Sequence, residues 1–163
     1  MPIVHVLDAP EAVPTLARWF VEEWSPWYGP DGPGDAQADL AACSSRSELP
    51  ICLVALNGDN DALGTAALKT ESVGRELGVG PWLSALLVGR EYRGKGVGSS
   101  LVEAIEGEAY RLGFTSIYTS SEYDEILMTR RGWKAIGTTA SLKGPIIVYR
   151  RELQDKGPTL QSS

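Results

Sequence analysis

Arg93-Gly94-Lys95-Gly96-Val97-Gly98 lies between an apolar run, Leu83 to Val88, and a helix-patterned stretch, Ser99 to Leu112. Three glycines at alternate positions let the backbone approach a ligand closely, and the helix that follows directs its unpaired N–H groups and positive dipole end to the same point. An anion suits that arrangement. The dipole contributes about 0.3–1 kcal/mol and each hydrogen bond to a charged group about 1.5–3 kcal/mol, so converging amides dominate. The bland alternative is a surface turn between a strand and a helix.

Spacing separates three nucleotide-binding signatures. A P-loop needs Gly-Lys followed directly by Ser or Thr, and Lys95 is followed by Gly96. The dinucleotide fingerprint G-x-G-x-x-G fits Gly94 and Gly96 but requires glycine where Ser99 stands. What remains is Arg-x-x-Gly-x-Gly after a strand, which resembles the coenzyme A signature of the GNAT N-acetyltransferase superfamily. The similarity runs from Leu86 to Leu101, and Arg131-Gly132-Trp133 is similar to that family's Gly-aromatic turn into the next strand. Together these span residues 50 to 150.

Length and charge set bounds. At 163 residues the chain suits one domain, expected over 1–153, because folding at about 150 residues buries roughly 68–70% of the unfolded surface. Residues 154–163 read as a disordered tail. No apolar run reaches the ~20 residues of a membrane span and no signal peptide is apparent, which makes a cytoplasmic protein the default. Cys43 and Cys52 lack a C-x-x-C spacing and read as ordinary thiols, with no metal site indicated. The net charge of −6 argues against nucleic-acid binding. Its distribution is uneven: residues 1–80 hold 12 Asp/Glu against 4 Lys/Arg, and residues 81–163 hold 9 against 11. A polyphosphate favours the basic half, and the acidic half either attracts a cationic second substrate or serves as a solubilising surface.

Outward from the motif, periodicity predicts a strand at Ile3 to Leu7, Asp8 as a helix N-cap, and a helix over Glu11 to Trp24 with Val13, Leu16, Ala17, Phe20, Val21 and Trp24 on one stripe. Proline and glycine break the chain from Ser25 to Gly34. A short helix over 35–45 follows, then strands Ile51 to Leu56 and Ala62 to Leu68 joined at Asn57-Gly58-Asp59-Asn60. The central strand is Trp82 to Val88. Leu101, Ile105, Ala109 and Leu112 mark the buried face of the next helix, which Gly113 closes. A strand at 115–120, a helix at 124–131 and strands at 133–138 and 145–151 complete an α/β or α+β domain. The resemblance sharpens this to a mixed, mostly antiparallel central sheet flanked by helices.

The resemblance also implies roles. Backbone groups of Leu86, Leu87 and Val88 would pair with the pantetheine arm of acetyl-CoA while the side chains of Leu86 and Val88 belong to the core. Arg93, Gly94, Lys95, Gly96, Val97, Gly98 and Ser99 would hold the pyrophosphate, and Lys95 or Arg90 would reach the adenosine phosphate unless Lys95 is only a solvated charge. Attack on a thioester needs an uncharged amine, a base and an acid for the leaving thiolate. The family often places a Tyr as that acid five residues before the aromatic of the turn, where this chain has Met128, and a thioether donates no proton. Tyr123 is the alternative, and Ser120 or Ser121 could supply a hydroxyl or order a water.

Glu71 and Glu76, on the loop before the central strand, are candidate bases or ordinary surface carboxylates. His5, the sole histidine, reads as structural. Trp24, Trp27 and Tyr28, with Trp82, would wall an acceptor site for a cation beside Glu22, Glu23, Asp31 and Asp35. Equally, Trp24 and Trp27 would cap the core, and Trp82 would pack beneath the mouth. The expected function is acetyl transfer from acetyl-CoA to a primary amine of a small cationic molecule by direct attack in a ternary complex. The alternatives are a peptide N-terminal or lysine acetyltransferase and, in a different class, a non-catalytic coenzyme A sensor. A homodimer is an expectation by analogy.

Overall fold

The computed structural model describes residues 1–25, 27–72, 75–121, 125–141 and 144–153. Tyr123 and the tail 154–163 lie outside the described residues. The elements are β1 (Ile3–His5), α1 (Val13–Glu23), α2 (Ala36–Ala41), β2 (Ile51–Leu56), β3 (Ala62–Lys69), β4 (Trp82–Val88), α3 (Val97–Arg111), β5 (Ser116–Ser121), α4 (Glu125–Arg130), β6 (Lys134–Ser141) and β7 (Gly144–Glu152). Among the described residues the strands form one mixed sheet in the order β1-β2-β3-β4-β5-β7-β6. β1–β2, β2–β3, β5–β7 and β6–β7 pair antiparallel, and β4–β5 pairs parallel. The expected fold class therefore stands. No helix among the described residues is long and apolar enough to cross a membrane.

Backbone contacts group the chain into two units, one of residues 1–68 with 85–105 and one of the described residues of 69–84 and 106–163. In the first, Leu16, Ala17 and Phe20 of α1 pack with Leu40, Cys52, Val54, Ala67 and Leu87. Val21 departs from the expected stripe and is 38% exposed, because it follows Phe20 by about 100° of helix rotation. β1 ends at His5, and Val6–Asp8 forms a 3-10 turn. Asp8 does not cap α1. Its carboxylate takes both Arg46 amino groups, at 2.8 and 2.6 Å, while α1 starts later, after the 3-10 turn Pro10–Ala12, with Pro14 in its first turn and no side-chain cap. His5 is buried, accepts from Leu7 N–H at Nδ1 (3.0 Å) and contacts Ser45 O through Nε2 (2.8 Å), as a structural residue would.

The β2–β3 hairpin forms where the polar tetrad predicts it. Asn57 Oδ1 accepts from Asp59 N and Asp61 N at 2.9 Å, and Asn60, with φ +64°, turns the chain. At Gly64 of β3 an added Cβ would lie 2.8 Å from Leu87 O and 3.1 Å from Leu101 Cδ1. Gly64→Ala is expected to destabilise the protein by about 1–3 kcal/mol through overpacking against backbone. Urea unfolding checks this, and an unchanged midpoint would show that β4 yields at no cost.

In the second unit Trp82, Tyr118 and Val148 form a small core, with Trp82 donating its Nε1–H to Val79 O at 2.9 Å. Thr119 Oγ1 donates to Leu83 O (2.9 Å), and Tyr118 N–H to Pro81 O (2.9 Å). These bonds reinforce the parallel pairing that begins at Trp82↔Tyr118. Glu106, only 2% exposed, is held by Arg131 (Nη2 2.6 Å, Nε 3.2 Å), Trp133 Nε1 (2.9 Å) and Arg151 Nε (3.4 Å). The turn Arg131-Gly132-Trp133 closes α4, with Gly132 at φ +86° and Trp133 N–H on Met128 O.

Candidate active site

The cradle is built as its glycines require. Gly94 has φ +76° and Gly96 φ +86°, in the left-handed region, and nothing lies within 4 Å of a Cβ placed on either. Backbone angle, and not crowding, demands glycine there. Val97 begins α3, and Ser100 N–H donates to Gly96 O at 3.1 Å. The amides of the first turn are left without helical acceptors. No acidic residue stands in that turn, while Lys95 and Arg90 are exposed beside it. The donor set fits a pyrophosphate.

Arg93 behaves differently from expectation. Its Nε donates to Val88 O (2.9 Å) and its Nη2 to Glu23 Oε1 (3.1 Å), so much of its side chain is engaged by protein. Leu87 is the buried member of its trio, whereas Leu86 and Val88 are half-buried. The expected core role of the last two is thus corrected. The reason is Ala85, whose φ of +52° interrupts the alternation of β4 just before them.

The loop after α1 is an aromatic cluster. Phe20, Trp24 and Tyr28 pack as tilted rings at centroid distances of 5.1 to 6.4 Å. Tyr28 donates its hydroxyl to Asp39 Oδ2 at 2.5 Å. Burial, then the bond and charge of Asp39, push the Tyr28 phenol well above its ordinary pKa. Trp27 is 44% exposed and folds over Gly34, where an added Cβ would lie 2.6 Å from its ring. Of the carboxylates near this cluster, Asp35 caps α2 through Ala38 N–H (3.1 Å), and Glu23 at the end of α1 holds Arg93. Trp24 and Tyr28 therefore pack, and Trp27 remains the aromatic surface.

In the second unit Glu71 and Glu76 line one cleft with Thr70, Gly78 and Val79. Thr139 Oγ1 donates to Glu76 at 2.9 Å. Trp82 is fully buried and cannot line a mouth; the reading in which it packs beneath the surface is the correct one. Met128 is 1% exposed. Ser121 ends β5 opposite Ile147, and Tyr123 falls outside the described residues. Two interactions escaped sequence reasoning, the Arg93–Glu23 contact and the Glu106 cluster. Only the helical position of Glu106, four residues after the buried Val102, hints that it turns inward.

The model of the acetyltransferase (GNAT) family matches residues 14–130. The chain belongs to the GNAT acetyltransferase family. Solved structures agree on the fold. An aminoglycoside 6'-N-acetyltransferase complexed with coenzyme A superposes with a TM-score of 0.76 at 16% identity, covering 96% of this chain and 99% of that one. The aminoglycoside 6'-N-acetyltransferase from Enterococcus faecium gives 0.72 at 16% identity, over 96% and 99%. The protein yncA of Salmonella typhimurium, solved with its cofactor acetyl-CoA, gives 0.68 at 19% identity, over 96% and 95%. A search of curated proteins gives no significant match. GNAT membership accounts for the cradle, since the match includes the whole of β4, the glycine loop and α3.

Proposed function

We propose that this GNAT protein is a cytoplasmic enzyme that transfers the acetyl group of acetyl-CoA to a primary amine of a small cationic molecule. The observation that carries the reading is the pair of left-handed glycines, Gly94 and Gly96, opening onto the free amides of α3. Bound acetyl-CoA would supply the activated thioester acetyl. The backbone amides from Gly94 to Ser99 would hold its pyrophosphate, Lys95 or Arg90 an outer phosphate, and Leu86 to Val88 the pantetheine arm. During transfer the amine nitrogen bonds to the acyl carbon, the C–S bond breaks, and the amine proton passes to a base. Glu71 and Glu76 are the candidate bases.

The leaving sulfur raises the question of an acid. Met128 is buried and donates no proton, which leaves Tyr123, Ser120 or Ser121. A thiol of pKa about 8.5 also leaves tolerably as thiolate. The cationic acceptor is supported by the acidic N-terminal half, by exposed Trp27, and by the likeness to aminoglycoside acetyltransferases. Met128 also motivates a second reading, a coenzyme A sensor without turnover.

An amine panel of polyamines, aminoglycosides and simple diamines, run beside basic and acidic peptides and read by thiol release, decides between them. Turnover of small cations at rates exceeding those of peptides is expected. Transfer to peptides alone would overturn the substrate class, and binding without any turnover would favour the sensor.

A further inference from the structure

The peptide unit joining Val88 to Gly89 is held at both ends. Its N–H donates to Leu63 O at 2.9 Å, and its carbonyl accepts from Arg93 Nε at 2.9 Å. A helix covers it. Trp19 of α1 lies so close that a Cβ on Gly89 would stand 2.8 Å from the indole ring, and Glu23, one turn later on the same helix, takes Arg93 Nη2 at 3.1 Å. The guanidinium thus bridges the last carbonyl of β4 and the last residue of α1, immediately before the aromatic loop that begins at Trp24.

We infer that Arg93 is a positioning residue, acting through Val88 and Glu23 to set the cradle and to join it to the aromatic loop, and is not a ligand of the pyrophosphate. The inference rests on the proposed use of the cradle for coenzyme A. Two donors in fork geometry match two acceptors, Val88 O five residues from Arg93 and Glu23 Oε1 70 residues from it. A guanidinium so placed orders the chain that enters Gly94, whose left-handed backbone aims the following amides. The two roles differ in the sign of one effect. If Arg93 were a phosphate ligand, deleting Glu23 would free it and remove a competing carboxylate, so coenzyme A would bind more tightly. If Arg93 positions, deleting Glu23 loosens the bridge and binding weakens.

Isothermal titration with coenzyme A therefore tests the inference on wild type, Glu23→Ala, Arg93→Ala, Arg93→Lys and the double alanine variant. Glu23→Ala is expected to weaken binding about two- to fivefold, the range of an exposed ion pair, and to raise the KM of the amine. Arg93→Ala should weaken coenzyme A about tenfold. Arg93→Lys, which keeps the charge but loses the fork, should be nearly as weak, and Glu23→Ala should add nothing in the Arg93→Ala background. Should Arg93→Ala fail to fold, the lysine and Glu23 variants carry the same decision. Tighter or unchanged binding in Glu23→Ala, full rescue by lysine, or additive losses would overturn the inference. Absence of binding by the wild type would instead sink the coenzyme A reading itself.

Discussion

In the Gly96→Glu variant acetyl-CoA is expected to produce no thermal stabilisation, whereas the wild type at 100 times its dissociation constant gains about 2.7 kcal/mol, roughly 5–10 °C for a chain of this size. Two effects combine. Gly96 holds φ +86°, and a side chain in that region costs about 1–2 kcal/mol, which the loop can relieve only by turning its amides away. The added carboxylate then sits at the entrance to α3, where the ligand's phosphates would be, and repels them. Because a carboxylate at a helix N-terminus favours the ligand-free helix, the melting temperature without ligand should change far less than the ligand response. Gly96→Ala isolates the backbone strain: no atom lies within 4 Å of the new Cβ, so a reduced but measurable shift is expected. Scanning calorimetry of the three proteins with and without acetyl-CoA makes the comparison, and a full shift in the glutamate variant would return the glycines to the status of a surface turn.

The second large effect concerns stability. Glu106→Ala is expected to destabilise the protein by about 3–5 kcal/mol, since removing one partner of a buried ion pair strands the others. Arg131 and Arg151 would lose their shared carboxylate, and Trp133 Nε1–H its acceptor. Burial by itself raises the Glu106 pKa, but the hydrogen bonds and charge of Arg131, the bond from Trp133 and the charge of Arg151 outweigh it and hold the carboxyl below its ordinary 4.5. A lowered folded pKa fixes the sign of the pH dependence. The stabilisation is complete above the unfolded value and is lost as pH falls through the folded one. Wild type should therefore lose stability steeply below about pH 4.5, the ordinary value, and Glu106→Gln should lack this component of the slope. Urea midpoints between neutral and acid pH read both, and parallel pH profiles would show that the cluster contributes nothing to acid sensitivity.

Much of this was legible beforehand because it is local. The apolar runs in Ile51–Leu56 and Ala62–Lys69 and the polar tetrad between them specify a hairpin, and the four-residue spacing of Leu101, Ile105 and Ala109 specifies the buried face of α3, all three fully buried. Asp8 misled because a capping residue and an ion-pair partner look alike in sequence, and Arg46 lies 38 positions away. Trp82 stayed open between two readings for a related reason: an aromatic at the start of a strand is equally suited to a mouth or a core, and only its neighbours Tyr118 and Val148 decide.

The glycine loop, its strand and helix, and the departure at Met128 are readable along the chain, because each depends on nearby residues whose backbone preferences act wherever the chain is placed. Tertiary structure alone decided that Arg93 engages Val88 and Glu23 and that Glu106 gathers Arg131, Trp133 and Arg151. Glu23 and Arg93 lie 70 residues apart, and Glu106 and Arg131 25. A charge in a sequence carries no mark of its partner, and the pairing exists only once packing has brought the two together and excluded the water that would otherwise solvate each.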